Sequence, residues 1–206
     1  SPRLILGESM MSETIKLLRV HQYIKNLFVF MPLIFSFSYT SAQNNINSLV
    51  AFALFSLMAS AIYILNDLLD VEEDKKHPTK RFRPIASQKV SKNSAKLLIL
   101  MLSAFTLTAS FLFNEQLFLV LLAYFVLNIL YSFKLKHISI LDIFIIATGF
   151  VLRLFAGSAV TGISLSMWII LMTFLLAIFL ALAKRRDDVL LSLKGKETRK
   201  NIDGYN

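Results

Sequence analysis

Apolar residues run along this chain in long blocks, and charge is almost absent from them. Residues 26–66 contain no charged side chain, residues 97–133 contain only Glu115, and residues 154–183 contain none. A helix that spans a bilayer needs roughly 20 apolar residues, so each block is long enough for one or two spans. Polar breaks at Ser41–Ser48, Asn114–Gln116 and Thr161–Ser166 divide them. The pattern predicts six helices, at about 26–41, 48–68, 95–113, 116–133, 139–160 and 165–184. The expected fold is all-α, a polytopic membrane helical bundle with six transmembrane helices.

Composition agrees with the pattern. The chain is 56% hydrophobic and only 17% charged, which excludes disorder, and the absence of cysteine excludes a disulfide-stapled secreted module. The 22 Lys and Arg residues outnumber 13 Asp and Glu, giving a net charge of +9. Placement narrows the meaning of that charge. Every Lys and Arg except Arg153 lies before the first predicted helix, between the second and third, between the fourth and fifth, or after the sixth. With alternating helices these positions share one side, which the positive-inside rule makes cytoplasmic, together with the N-terminus and residue 206. A bacterial cytoplasmic membrane is the expected location. Basic residues strung along a membrane boundary argue against a nucleic-acid partner. The first predicted helix is too long, and lacks the small-residue cleavage site, for a signal peptide. Met11 is the expected natural start and residues 1–10 a non-native leader. Residues 1–15 form an N-terminal segment and 16–206 the membrane domain.

Acidic residues are few, yet they cluster. The string Asn66-Asp67-Leu68-Leu69-Asp70-Val71-Glu72-Glu73-Asp74 ends the second predicted helix. Asp67, Asp70 and Asp74 stand at i, i+3 and i+7 and are expected on one helical face, with Asn66 one turn before Asp70. Such hard oxygen ligands suit Mg²⁺, which keeps waters and bridges to substrate phosphates. A solvated helix end is the plainer reading. The next segment is His77-Pro78-Thr79-Lys80-Arg81-Phe82-Arg83-Pro84. Lys80, Arg81 and Arg83 directly after metal-binding carboxylates suit a metal–diphosphate complex. The two prolines stiffen the connection. A topology signal meeting lipid headgroups would account for the same cations, but not for the adjacent carboxylates.

These residues carry a resemblance. Asn66-Asp67-x-x-Asp70-x-x-x-Asp74 resembles the first aspartate-rich motif of the UbiA-type intramembrane prenyltransferase superfamily. The HPTKRFRPIAS run over 77–87 is similar to its decaprenyl-phosphate phosphoribosyltransferase branch. So are LRVHQYIKN at 18–26, Tyr131-Ser132 with Lys136, GFVLRLFAG at 149–157 and the KRRDD run at 184–188. The resemblance implies a nine-helix fold, so this chain is expected to be truncated at its C-terminal side. It lacks the DxxxD second motif of the prenyl-transferring members, and Asp188 occupies that region.

In the activity so implied, phosphoribosyl pyrophosphate gives its 5-phosphoribosyl group to a polyprenyl phosphate and releases diphosphate. Asp67, Asp70 and Asp74 would hold Mg²⁺ and Asn66 would orient the group. Lys80, Arg81 and Arg83 would meet the diphosphate. Lys25, Lys136, Lys184 and Arg185 would take the 5-phosphate or the lipid phosphate, with His77, Tyr131 and Asp188 as further substrate contacts. A phosphate acceptor needs no strong base. Tyr131 is equally an interfacial anchor. Arg153, inside a span and too far from Asp142 to pair with it along the helix, is structural glue or a phosphate ligand. Prenyl transfer from a polyprenyl diphosphate to an aromatic or other acceptor is the alternative enzyme. A membrane transporter or lipid-binding protein is the alternative of another class.

Overall fold

The computed structural model describes residues 2–193. Lys194, Lys196, Arg199, Lys200 and residue 206, assigned above to the cytoplasmic side, lie outside the described residues, as does Ser1. The described residues are helical, with no strand among them. Five helices are long and apolar enough to cross a membrane: α3 (Ala42–Leu69), α5 (Lys92–Phe113), α6 (Glu115–Phe133), α7 (Leu141–Thr161) and, over 167–191, α8 (Met167–Leu193). Shorter helices are α1 (Pro2–Leu18), α2 (Met31–Phe35) and α4 (Val71–Lys76).

Local chemistry sets these ends. Ser41 caps α3 by accepting the Asn44 amide at 3.3 Å, and Ser91 caps α5 by accepting the Ser94 amide at 3.1 Å. A single residue, Asn114, separates α5 from α6. Its side chain accepts the Leu117 amide at 2.9 Å and donates to the Ala159 carbonyl of α7 at 3.2 Å. Gly162, at φ 69°, ends α7 in the left-handed conformation.

The helix expected at 26–41 is the exception. The chain turns at Arg19 (φ 51°), runs as a 3-10 helix over Val20–Phe30, continues into the five-residue α2, and turns again at Phe37 (φ 56°). No uninterrupted span forms there. This segment packs on α3 and α7 through Asn26, Val29, Pro32 and Leu33, while Ile24, Leu27, Ile34 and Phe35 stay exposed. Asn26 is buried and donates to Ser56 Oγ on α3 at 2.9 Å, while Tyr23 shares a 2.6 Å bond with Ser60 Oγ. Gly157 of α7 admits the segment's backbone so closely that a Cβ would stand 1.9 Å from the Val29 carbonyl oxygen. The segment runs antiparallel to α3, from Arg19 beside Asp67 at one end to Tyr39, whose carbonyl accepts from Asn45, at the other.

Two helices form the centre. In α3 and α7, 61% and 50% of the most apolar window is buried, against 17%, 22% and 11% in α5, α6 and α8. The outer three leave apolar faces to lipid, as helices that are hydrophobic all round do in a membrane. The core joins Phe55, Met58 and Ile62 of α3 to Leu117, Leu121 and Tyr124 of α6 and Ala156 of α7. A second cluster, Leu17, Ile64, Val71, Ile85 and Ala95, fastens α1 and the loop after α4 onto the same end of α3. That end carries the polar residues.

Candidate functional site

At the C-terminal end of α3, the loop after α4, the end of α6 and the start of α7 surround a cavity of about 540 Å³. Asn66, Asp70 and Asp74 line it. Their spacing, i, i+4 and i+8, follows one edge of the nearly continuous α3–α4 path, where the Asp70 amide donates to the Asn66 carbonyl and the Asp74 amide to the Asp70 carbonyl. Asp67 does not line this cavity. It still stands near Asp74, because Arg83 Nη1 lies 3.2 Å from Asp67 and 2.9 Å from Asp74. Asp67 instead faces Arg19 and Arg83, to both of which it is ion-paired.

Cations meet the other carboxylates. Lys136 Nζ donates to Asp70 Oδ1 at 2.5 Å, and Arg83 Nη1 donates to Asp74 Oδ2 at 2.9 Å. Ser132 Oγ donates to Asn66 Oδ1 at 2.5 Å, so the Tyr131–Lys136 motif of α6 closes directly on the acidic motif of α3. Tyr131 lines the cavity, as do His77 and Lys80 from the loop. The His77 ring Nδ1 accepts the Thr79 and Lys80 amides at 3.2 Å and so fixes the loop that presents Lys80.

The deep end of the cavity is basic and aromatic. Arg153 is 5% exposed, donates through Nε to Asn26 Oδ1 at 2.8 Å, and lies over the rings of Phe55, Tyr124 and Phe150. It is thus fixed as glue and still lines the cavity, joining the two roles posed for it. Lys25 lines the same region. Burial first, then the neighbouring Arg153, Lys184 and Arg19, push its pKa down to about 8. Among the described residues, no carboxylate forms an ion pair with Lys25. Arg185 lines the cavity but its charge is committed: Nε and Nη2 donate to Asp142 Oδ2 at 3.2 and 2.6 Å, with both side chains buried.

Four other expected contacts lie off the cavity wall. Arg81 stacks on the exposed Phe82 ring, Lys184 is exposed, and Asp188 sits a turn beyond Arg185 on α8. Arg83 reaches Asp74 from outside. Conversely, Arg19, Glu73, Tyr63, Tyr124 and Asn128 line the cavity without having been singled out. Arg19 stood in the opening LRVHQYIKN run and was read only as a topology charge.

The donor set suits a hard divalent cation. Two carboxylates and an amide, with Glu73 beside them, supply oxygen atoms at one wall, and Lys80, Lys136 and Lys25 line the same cavity. Among the described residues no three carboxylate or imidazole side chains converge into a complete cage. Mg²⁺ commonly takes one or two carboxylates and completes its shell with water and substrate oxygens, and Asp70 and Asp74 are the residues that would hold it.

Residues 28–194 match the UbiA prenyltransferase family. The chain is 37% identical over 205 residues to the decaprenyl-phosphate phosphoribosyltransferase of Mycolicibacterium smegmatis, covering 96% of this chain and 64% of the relative. It is 38% identical over 196 residues to that of Corynebacterium glutamicum, covering 93% and 59%. The chain therefore spans about three fifths of the length of these relatives. Among solved structures, a UbiA homolog from Archaeoglobus fulgidus bound to DMAPP and Mg²⁺ superposes with a TM-score of 0.70 at 21% identity, over 93% of this chain and 69% of that one.

Proposed function

The chain belongs to the UbiA prenyltransferase family and is an integral membrane protein, and on that premise we propose that it transfers 5-phosphoribosyl from phosphoribosyl pyrophosphate to a polyprenyl phosphate, releasing diphosphate. One observation carries the reading: Asn66, Asp70 and Asp74 share a cavity with Lys25, Lys80, Lys136 and Arg153, so oxygens suited to a divalent cation face several groups suited to phosphates. Prenyl transfer to an uncharged aromatic acceptor would need only one anion site. The named activity of the M. smegmatis and C. glutamicum relatives, at 37% and 38% identity, supports the same choice.

Bound at Asp70 and Asp74, with Asn66 beside them, Mg²⁺ would neutralise charge that develops on the departing diphosphate. Lys80 and Lys136 hold the diphosphate oxygens, and Lys136 exchanges its contact with Asp70 for one with substrate. Lys25 and Arg153 hold the remaining phosphate, either that of the ribose or that of the lipid. The anomeric C–O bond to diphosphate breaks, and a lipid-phosphate oxygen forms the new bond to the same carbon. This oxygen is already ionised near neutral pH, so no protein base takes a proton. The Tyr63, Tyr124 and Phe150 rings wall the cavity and limit water at the reacting carbon. Basic residues gathered at this end support a site on the cytoplasmic face of a bacterial membrane.

Membranes containing the protein, supplied with labelled phosphoribosyl pyrophosphate, polyprenyl phosphate and Mg²⁺, test the reading. Label should enter the lipid fraction and EDTA should stop it. Label moving only from a polyprenyl diphosphate to an aromatic acceptor would replace this reading with the prenyltransferase one.

A further inference from the structure

A second chamber, about 420 Å³, lies on the Asp67 side of the acidic motif. Lys16 and Arg19 reach it from the end of α1 and the turn beyond, His21 from the 3-10 segment, and Thr79 and Arg83 from the loop after α4. Asp67 is the one carboxylate in its wall. Arg19 is the one residue that lines both this chamber and the first cavity.

Lys16, Arg19, Arg83 and the adjoining Lys89 meet three carboxylates, Glu13, Asp67 and Asp74, which leaves one cationic charge in excess beside His21. Arg19 commits Nη2 to Asp67, and Arg83 commits Nη1 to Asp67 and Asp74, so each guanidinium keeps further N–H donors. Lys16 is steadied by Glu13 at 2.9 Å, a carboxylate it shares with Lys89 at 3.0 Å. Guanidinium forks with an ammonium and a hydroxyl are the donor set that phosphate oxygens select. Asp67 lies in the last turn of a spanning helix, which puts the chamber at the membrane boundary. Exposed Val20, Ile24 and Phe82 lie on the elements that form it.

We propose that this chamber is a second binding site for a phosphate-bearing anion, separate from the cavity of Asn66, Asp70 and Asp74. Its ligand is a lipid headgroup phosphate or a soluble phosphate, since the donors are the same for both. The proposal does not rest on the transferase reading.

The full chain, purified in detergent and freed of divalent ions, is titrated with inorganic phosphate. In parallel it is reconstituted with phosphatidylcholine alone or with added phosphatidylglycerol, and retained lipid is read by native mass spectrometry. The test variant is Lys16→Gln/His21→Gln, at two exposed positions outside the ion pairs of Asp67. Thr79→Glu, which adds a carboxylate to the wall, is the second variant, and melting temperatures check that both fold. A loss of tenfold or more in phosphate affinity in both variants, retained by Lys136→Gln in the first cavity, supports a soluble ligand. Loss of phosphatidylglycerol retention in both variants, with phosphate inert, supports a headgroup. Wild-type binding of both probes in the two variants, or phosphate binding abolished only by Lys136→Gln, overturns the proposal.

Discussion

Replacing Asp142 by asparagine should destabilise the fold more than any other single loss of charge near the cavity. Asp142 is fully buried at the start of α7, and Arg185 of α8 places two donors on one of its oxygens, at 2.6 and 3.2 Å, with only 3% of its own side chain exposed. Water cannot replace the lost carboxylate, so the guanidinium is left buried and uncompensated. Breaking a buried pair in this way costs about 3–5 kcal/mol. That is roughly two to three and a half powers of ten in the folded-to-unfolded ratio. Replacing both partners by apolar side chains of similar volume removes the stranded charge. Asp142→Leu/Arg185→Met should therefore recover most of the loss, to within about 1–2 kcal/mol of wild type. Reversible unfolding in detergent micelles, run on wild type, Asp142→Leu, Arg185→Met and the double variant, with Asp142→Asn alongside, gives the coupling energy directly. A double variant as unstable as Asp142→Asn would refute the reasoning, because the cost would then come from lost packing rather than a stranded charge.

Gly157→Ala should cost about 1–3 kcal/mol in the same assay, since the new methyl would stand 1.9 Å from the Val29 carbonyl oxygen, while Gly162→Ala strains only a loop end. Lys25 supplies a pH test. Its folded pKa, lowered to about 8 from an ordinary 10.5, means that the unfolded chain holds the extra proton between those values. Stability should therefore rise with pH across that window, and attraction for a phosphate should weaken above pH 8. KM for phosphoribosyl pyrophosphate or lipid phosphate should climb above pH 8 in wild type and stay flat in Lys25→Arg; parallel profiles would show that Lys25 touches neither substrate. Asp67→Asn strands parts of Arg19 and Arg83, so it should lower the melting temperature, whereas Asp70→Asn should leave it near wild type; equal melting temperatures would contradict the separate roles given to these two carboxylates.

Much of this architecture was legible in the chain. Five of the six predicted helices form: α5, α6 and α7 match within three residues, while α3 begins six residues earlier, at its Ser41 cap, and α8 runs nine residues further than predicted. The first was not legible as it stands. Residues 26–41 have the composition of a span, but Pro32 and the turns at Arg19 and Phe37 break them, and α3 and α7 bury part of the run. Hydropathy reads lipid and protein interior alike. The motif around Asn66 was visible, but spacing alone does not say that Asp70 and Asp74 line the cavity while Asp67 meets Arg19, which the packing of α3 decides. Arg185 shows the remaining gap. Its charge was plain in the KRRDD run, yet its partner Asp142 is 43 residues away on another helix.

The central claim is that Asp70 and Asp74, facing the cavity, support phosphoribosyl transfer. It is tested most directly by measuring label transferred from phosphoribosyl pyrophosphate to polyprenyl phosphate in membranes holding equal amounts of wild type, Asp70→Asn and Asp74→Asn. The account predicts Mg²⁺-dependent transfer by wild type and at least a hundredfold loss in each variant, with both still inserted at wild-type levels. Wild-type rates in both variants would contradict it.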